Sequence, residues 1–225
     1  MKYNGFYFLL FRGTMRKVLA ERYGGAFARD VMRRAHKLYK TLVTEADDIG
    51  DENPMAYNEL FALAFVAPYL ASGKKIPPKL VQEMMRRSLY HVRFYFAMVD
   101  LNTARGKLAN QRSILKYVEW YTSEREKRYP TSFKVDFVGR PYEGACYYRI
   151  TRCPICTYCE KLGVGELMPL FCDLDEVMVA LQHGVLYRRQ TIASGGVYCD
   201  YFIMGDREKM RAFPGAGGER NGEQQ

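Results

Sequence analysis

Apolar side chains recur every three or four positions through the first 128 residues. Phe27, Val31, Leu38 and Leu42 share one helical face, and Val81, Met85, Leu89, Val92, Phe96 and Val99 step in the same way. Further helices are predicted at about 54–72 and 103–127. The first is entered through Asn53 and Pro54, a capping side chain followed by proline in the first turn. Ser72, Gly73, Pro77 and Pro78 mark a connection and a helix restart. This half reads as a helical bundle.

After Pro130 the period falls to two. Phe133, Val135 and Phe137 alternate with Lys134, Asp136 and Val138, and Cys146, Tyr148 and Ile150 alternate with Tyr147, Arg149 and Thr151. The glycine- and proline-containing stretch between these runs makes them a hairpin. Pro154 ends the second strand and opens a helix to about Leu162. Asp173 and Glu176 form a D-x-x-E capping pair, which predicts a second helix to about His183. Two more strands are predicted at Val185–Ile192 and Val197–Met204, joined through Ala193, Ser194, Gly195 and Gly196. The tail from Pro214 has no large apolar side chain and is expected to be disordered.

The fold class that follows is α+β: an N-terminal helical bundle packed on a C-terminal four-stranded antiparallel sheet with two helices. The expected division is residues 1–130, a helical subdomain; 131–205, a cysteine-rich α+β subdomain; and 206–225, the tail. Parallel pairing of the strands at 145–151 and 185–192 is the competing topology, because two helices separate them.

Composition narrows the function. At 225 residues and 48% hydrophobic, the chain can bury a sizeable core without metal or disulfide staples. The longest apolar run, Leu60–Ala71, has twelve residues including Pro68, against the roughly 20 of a membrane span. No secretory leader is recognised in Met1–Arg12, so a cytoplasmic protein with no membrane partner is expected. The net charge of +9 invites a nucleic-acid reading, but Arg33, Arg34, Lys37 and Lys40 sit at the spacing of a solvated helix face. No nucleic-acid motif accompanies them. The expected partner is a small molecule, and a homo-oligomer is compatible with the sequence.

All six cysteines fall after residue 145. In a reducing compartment they read as thiols, ligands or nucleophiles. Cys153, Cys156 and Cys159 resemble the opening of an iron–sulfur run, but Gly163 stands where the fourth cysteine would be. A thioredoxin-type dithiol would need a parallel β-α-β unit, which the hairpins oppose. A third reading takes Cys153 alone. Between a strand end and a helix start, its sulfur would meet unpaired amides and the positive end of the helix dipole, with Arg152 adding charge, all of which favour the thiolate. The plainer alternative is a buried cysteine used as a small hydrophobe, the role expected of Cys146 and Cys159. Asp175, in the first turn of the predicted helix, could equally complement its dipole. Cys199 and Asp200 point to opposite faces of their strand, so only one reaches a given site. His36, His91 and His183 cannot be placed by spacing.

Several segments resemble the L-2-amino-thiazoline-4-carboxylate hydrolase family. They are Thr151–Cys153; Leu162, Gly163, Glu166 and Leu167; Cys172–Asp175; Arg188, Gln190, Thr191, Ile192 and Gly195; and Cys199–Tyr201. With the segment Glu45–Met55, the likeness spans roughly residues 25–204. It extends distantly to 4-vinyl reductase-type ligand-binding domains. The resemblance implies a cysteine-rich hydrolase that opens a cyclic C–N linkage of amidine, amide or thiazoline type. Tyr198 stands where the family pattern has histidine before the cysteine.

On this reading Cys153 attacks the ring carbon, Asp175 serves as general base or orients water, and Cys172 and Cys199 complete the catalytic set. Arg188 would hold a substrate carboxylate, with Thr191 and Asp200 as further substrate contacts. Cys153, Cys172, Cys199 and Asp175 are also a plausible ligand set for zinc or iron, whereas an iron–sulfur cluster is not expected. The non-enzymatic alternative is a sensor or carrier that binds in the same cavity without reaction.

Overall fold

A computed structural model of the chain describes residues 2–139 and 145–210. The expected tail from Pro214 and most of the expected hairpin turn lie outside these residues. The chain begins with α1 (Phe6–Glu45), broken at Gly24, where φ is 82° and ψ 161°. A positive φ of this kind is open to glycine at little cost. The backbone doubles back there: Phe8 stacks on His36 and Tyr39 at 5.2 and 5.4 Å. A straight helix would hold residues so far apart in sequence about 45 Å from each other.

Four more helices and a short sixth complete the helical half. They are α2 (Ala56–Ala71), α3 (Pro78–His91), α4 (Arg93–Ala97), α5 (Ala104–Trp120) and α6 (Ser123–Arg128). The expected entry into α2 is displaced by two residues. Asn53 does not cap the first turn; it accepts the Met55 N–H at 2.8 Å and donates to the Ile49 carbonyl and to Ser132 Oγ, tying the two halves together. The helix expected over 103–127 is two, each capped by a threonine, Thr103 and Thr122.

The second half runs β1 (Lys134–Gly139), β2 (Cys146–Arg152), α7 (Pro154–Lys161), a short 3₁₀ turn, α8 (Met168–Ala180), β3 (Gly184–Tyr187), a 3₁₀ turn at Ile192–Ser194, and β4 (Cys199–Gly205). The sheet order is β1-β2-β4-β3, with every pair antiparallel. The parallel alternative fails because β4 lies between β2 and β3. The fold is α+β, with an N-terminal helical half and a four-stranded antiparallel sheet.

Several boundaries differ from those the pattern predicts: β4 begins at Cys199 rather than Val197, α8 ends at Ala180 rather than near His183, and two further differences have clear causes. The helix expected to start at Asp173 begins at Met168, with Pro169 in its first turn, and exposed Asp173 accepts a hydrogen bond from Gln82. The strand expected over 185–192 ends at Tyr187. The Asp200 carboxylate takes the N–H groups of Arg189 and Gln190, both at 3.0 Å, so these donors leave the ladder.

One face of the sheet carries Cys146, Tyr148, Ile150, Cys199 and Ile203, all within a continuous buried cluster that reaches Phe8 and Val31 in the helical half. The other face carries a smaller cluster of Ala145, Tyr147, Phe202 and Met204. Thus the two halves share one core, and the site forms on the face they share.

Glu59 is buried in α2, with Oε2 unpaired among the described residues. Burial, reinforced by Asp47 and opposed by Lys161, pushes its carboxyl up to about 7. Its contribution to stability is therefore present below the unfolded value of about 4.5 and is lost as pH rises through about 7. Glu59→Gln should match the wild type near pH 4 and exceed it at pH 8 by about 3 kcal/mol. Urea unfolding at the two pH values measures this; an unchanged difference between the proteins would show that Glu59 does not titrate in that window.

Candidate functional site

Between the helical half and the sheet lies a cavity of about 430 Å³. Tyr57, Asn58 and Phe61 of α2 and Ser113, Ile114 and Lys116 of α5 line it from one side. Tyr148 and Ile150 of β2, Cys153, Phe171, Cys172 and Asp175 of α8, and Cys199 and Tyr201 of β4 line it from the other. Tyr57, Ser113 and Lys116 are exposed and mark the mouth, whereas Phe133, Leu174 and Cys199 are buried at the floor. Cys153, Cys172, Asp175 and Cys199 thus come together on one cavity from three separate parts of the sequence.

The register explains the floor. Ile150 pairs with Cys199 and Tyr148 with Tyr201, so all four side chains share one face. The two tyrosine rings stack at 4.7 Å. The Tyr201 hydroxyl donates to Asp175 Oδ2 at 2.8 Å, and Arg188 Nη1 donates to the same oxygen at 2.8 Å. Arg188 Nη2 donates to the Cys172 carbonyl at 2.7 Å, and its guanidinium lies 5.3 Å above the Tyr201 ring. Asp175 Oδ1 carries no hydrogen bond among the described residues. Burial raises the Asp175 carboxyl, with Arg188 and Tyr201 pulling against it. Tyr201, half-buried and facing Asp175, is held far above the ordinary phenol range by desolvation and by that carboxylate.

Three thiols at the floor differ in their surroundings. The Cys172 S–H donates to Cys199, whose sulfur also accepts the Ile192 N–H at 3.2 Å and faces Arg188. These groups outweigh burial and lower the Cys199 thiol. The hydrogen bond it gives raises Cys172, as do burial and Asp175. These surroundings make Cys199 the more acidic thiol of the pair.

Cys153 caps α7 as expected, but burial pushes its thiol up, more than the amides of Cys156 and Ile155 draw it down. Arg152 does not assist: it pairs with Glu126, the Ser132 carbonyl and Tyr121. The expectation that the helix terminus favours the Cys153 thiolate is thus corrected by its desolvation.

Arg188, Thr191 and Asp200, the expected substrate contacts, do not line the cavity. The Arg188 fork is committed to Asp175 and the backbone. Thr191 accepts the Ser194 N–H, and Asp200 braces residues 189 and 190 on the far side of the strand. Arg149 lies over the Tyr198 ring at 4.6 Å, also away from the cavity. His36, His91 and His183 do not line it either. Among the described residues, no three His, Cys, Asp or Glu side chains gather as metal ligands. The zinc or iron set of Cys153, Cys172, Cys199 and Asp175 is therefore not assembled in this arrangement. Cys156 and Cys159 are buried in the core.

Residues 57–203 match the family model for L-2-amino-thiazoline-4-carboxylic acid hydrolase. The chain belongs to this family. The match runs from the start of the cavity wall in α2 to the middle of β4, and so includes Cys153, Cys172, Asp175, Arg188 and Cys199. For this hydrolase-family member, neither a curated protein nor a solved structure gives a match. The contribution of α2 and α5 went unnoticed in the sequence, because Tyr57, Ser113 and Lys116 sit on ordinary amphipathic helices.

Proposed function

We propose that the protein is a small-molecule hydrolase that opens a cyclic C–N linkage of amidine, amide or thiazoline type. The observation that carries this reading is the Cys172–Cys199 thiol pair set beside the Asp175–Arg188–Tyr201 cluster on the floor of one cavity. The compound in the family's name, an amino-thiazoline carboxylate, has an electrophilic ring carbon between two ring heteroatoms.

In the proposed route the Cys199 thiolate adds to that carbon. Its sulfur then ceases to be an anion, and the Cys172 S–H loses its acceptor. The adduct collapses with cleavage of the ring C–N bond, and Cys172 passes this proton to the departing nitrogen. Water attacks the resulting adduct and gives its proton to Asp175 Oδ1, while Oδ2 stays fixed by Arg188 and Tyr201. Release of Cys199 and return of the proton from Asp175 restore the thiol pair, and the net reaction consumes one water. Arg188 acts as a positioning residue here, since its ion pair with Asp175 opposes the upward pull of burial on that carboxyl.

Incubation with L-2-amino-thiazoline-4-carboxylate, followed by mass spectrometry, tests the reading. The expected product is one water heavier than the substrate and accumulates over many turnovers. Recovery of intact ligand, bound one to one, would instead make the cavity that of a carrier or sensor.

A further inference from the structure

Lys116 lies at the cavity mouth on α5, one turn from Ser113, and is the single cation lining the cavity among the described residues. It is exposed and has no hydrogen bond or ion pair among them. Arg188, the other basic group near the floor, is 7% exposed and fully engaged by Asp175 and the Cys172 carbonyl. The walls between mouth and floor are mainly apolar, with Phe61, Ile114 and Phe171 among them. A ligand with an anionic group therefore meets one free positive charge, and meets it at the outer end.

We propose that Lys116 is the specificity-determining anchor for the substrate's anionic group. It would hold a carboxylate at the mouth and so direct the ring toward Cys199 and Asp175. The proposal rests on the hydrolase reading for the identity of the ring, but not on turnover. Lysine suits the position because an ammonium on a flexible stem can follow a ligand into the mouth, whereas a buried guanidinium fork cannot leave Asp175. Orientation follows from charge. The floor already holds the Asp175–Arg188 pair, whose charges cancel, and offers no uncommitted cation to a second anion, so the carboxylate is favoured at the mouth.

Binding to the Cys199→Ser variant, whose turnover is expected to be slowed roughly 10³-fold, tests the anchor by calorimetry. The probes are L-2-amino-thiazoline-4-carboxylate and 2-amino-2-thiazoline, which lacks the carboxylate. Adding Lys116→Met should weaken the carboxylate ligand roughly tenfold, the scale of one charge-assisted hydrogen bond at a partly exposed site. It should leave the carboxyl-free ring unchanged, and Lys116→Arg should restore most of the loss. The advantage of the carboxylate ligand should also shrink as salt rises. Equal weakening of both rings, no weakening of either, or no binding of the carboxylate by the parent would each overturn the assignment. Because Lys116 is exposed, an unchanged melting temperature of the variant serves as the folding control. Absence of turnover in the wild type with the anchor intact would instead remove the hydrolytic reading alone.

Discussion

Cys199→Ser should lower turnover of the thiazoline ring by roughly 10³-fold, whereas Cys153→Ser should stay within about tenfold of the wild type. The contrast follows from the surroundings of the two sulfurs. Cys199 receives two hydrogen bonds and faces a guanidinium, which lowers its thiol; Cys153 is raised by burial. The sign for alkylation is the same. Iodoacetamide should modify Cys199 below the pH of about 8.5 at which an ordinary thiol begins to react, and should reach Cys153 only well above it. Peptide mapping across a pH series reads both sites in one sample. Cys172→Ala removes the S–H donor and should shift the acid limb of the rate profile to higher pH, while Cys172→Ser keeps an O–H donor and should shift it less. An inactive Cys153→Ser beside an active Cys199→Ser would return the nucleophile to the helix terminus.

The reversal between these cysteines shows what a sequence can carry. The end of β2, the proline opening α7 and the alternation in β4 are local patterns, and they place Cys153 and Cys199 correctly on their elements. Thiol acidity is not local. It depends on Cys172 from α8, Ile192 from the loop before β4, and the depth of the cavity, which the adjacent sequence does not encode. The change from period 3.6 to period 2 near Pro130 was similarly legible, since α6 ends at Arg128 and β1 begins at Lys134. The early end of β3 was not, because a side chain in another strand removes its donors. The folding back of α1 at Gly24 was equally hidden: helical spacing continues on both sides of the break, and only the contact of Phe8 with Tyr39 reveals the reversal.

Arg188 carries the second large effect, because it is the counter-charge for a carboxylate in a desolvated place. Arg188→Met should destabilise the fold by about 3 kcal/mol, the cost of leaving a buried partner charge unmatched. The Cys172 carbonyl loses a donor in the same change. Asp175 is already raised by burial, and Arg188 is its principal opposing influence, so its carboxyl should rise further in the variant. The sign is then fixed: the pH at which the carboxylate form appears moves up, and residual activity that needs Asp175 as a base appears only at higher pH. Adding Asp175→Asn should recover part of the lost stability, by about 1–2 kcal/mol, because the unmatched charge is gone. Activity should not return with it. Urea unfolding of the wild type, both single variants and the double variant closes the cycle, and each rate profile is read on the same proteins. Full additivity of the two substitutions would mean that Arg188 and Asp175 do not act as a pair. Recovery of stability without recovery of turnover would separate the structural role of the ion pair from the chemical role of its carboxylate.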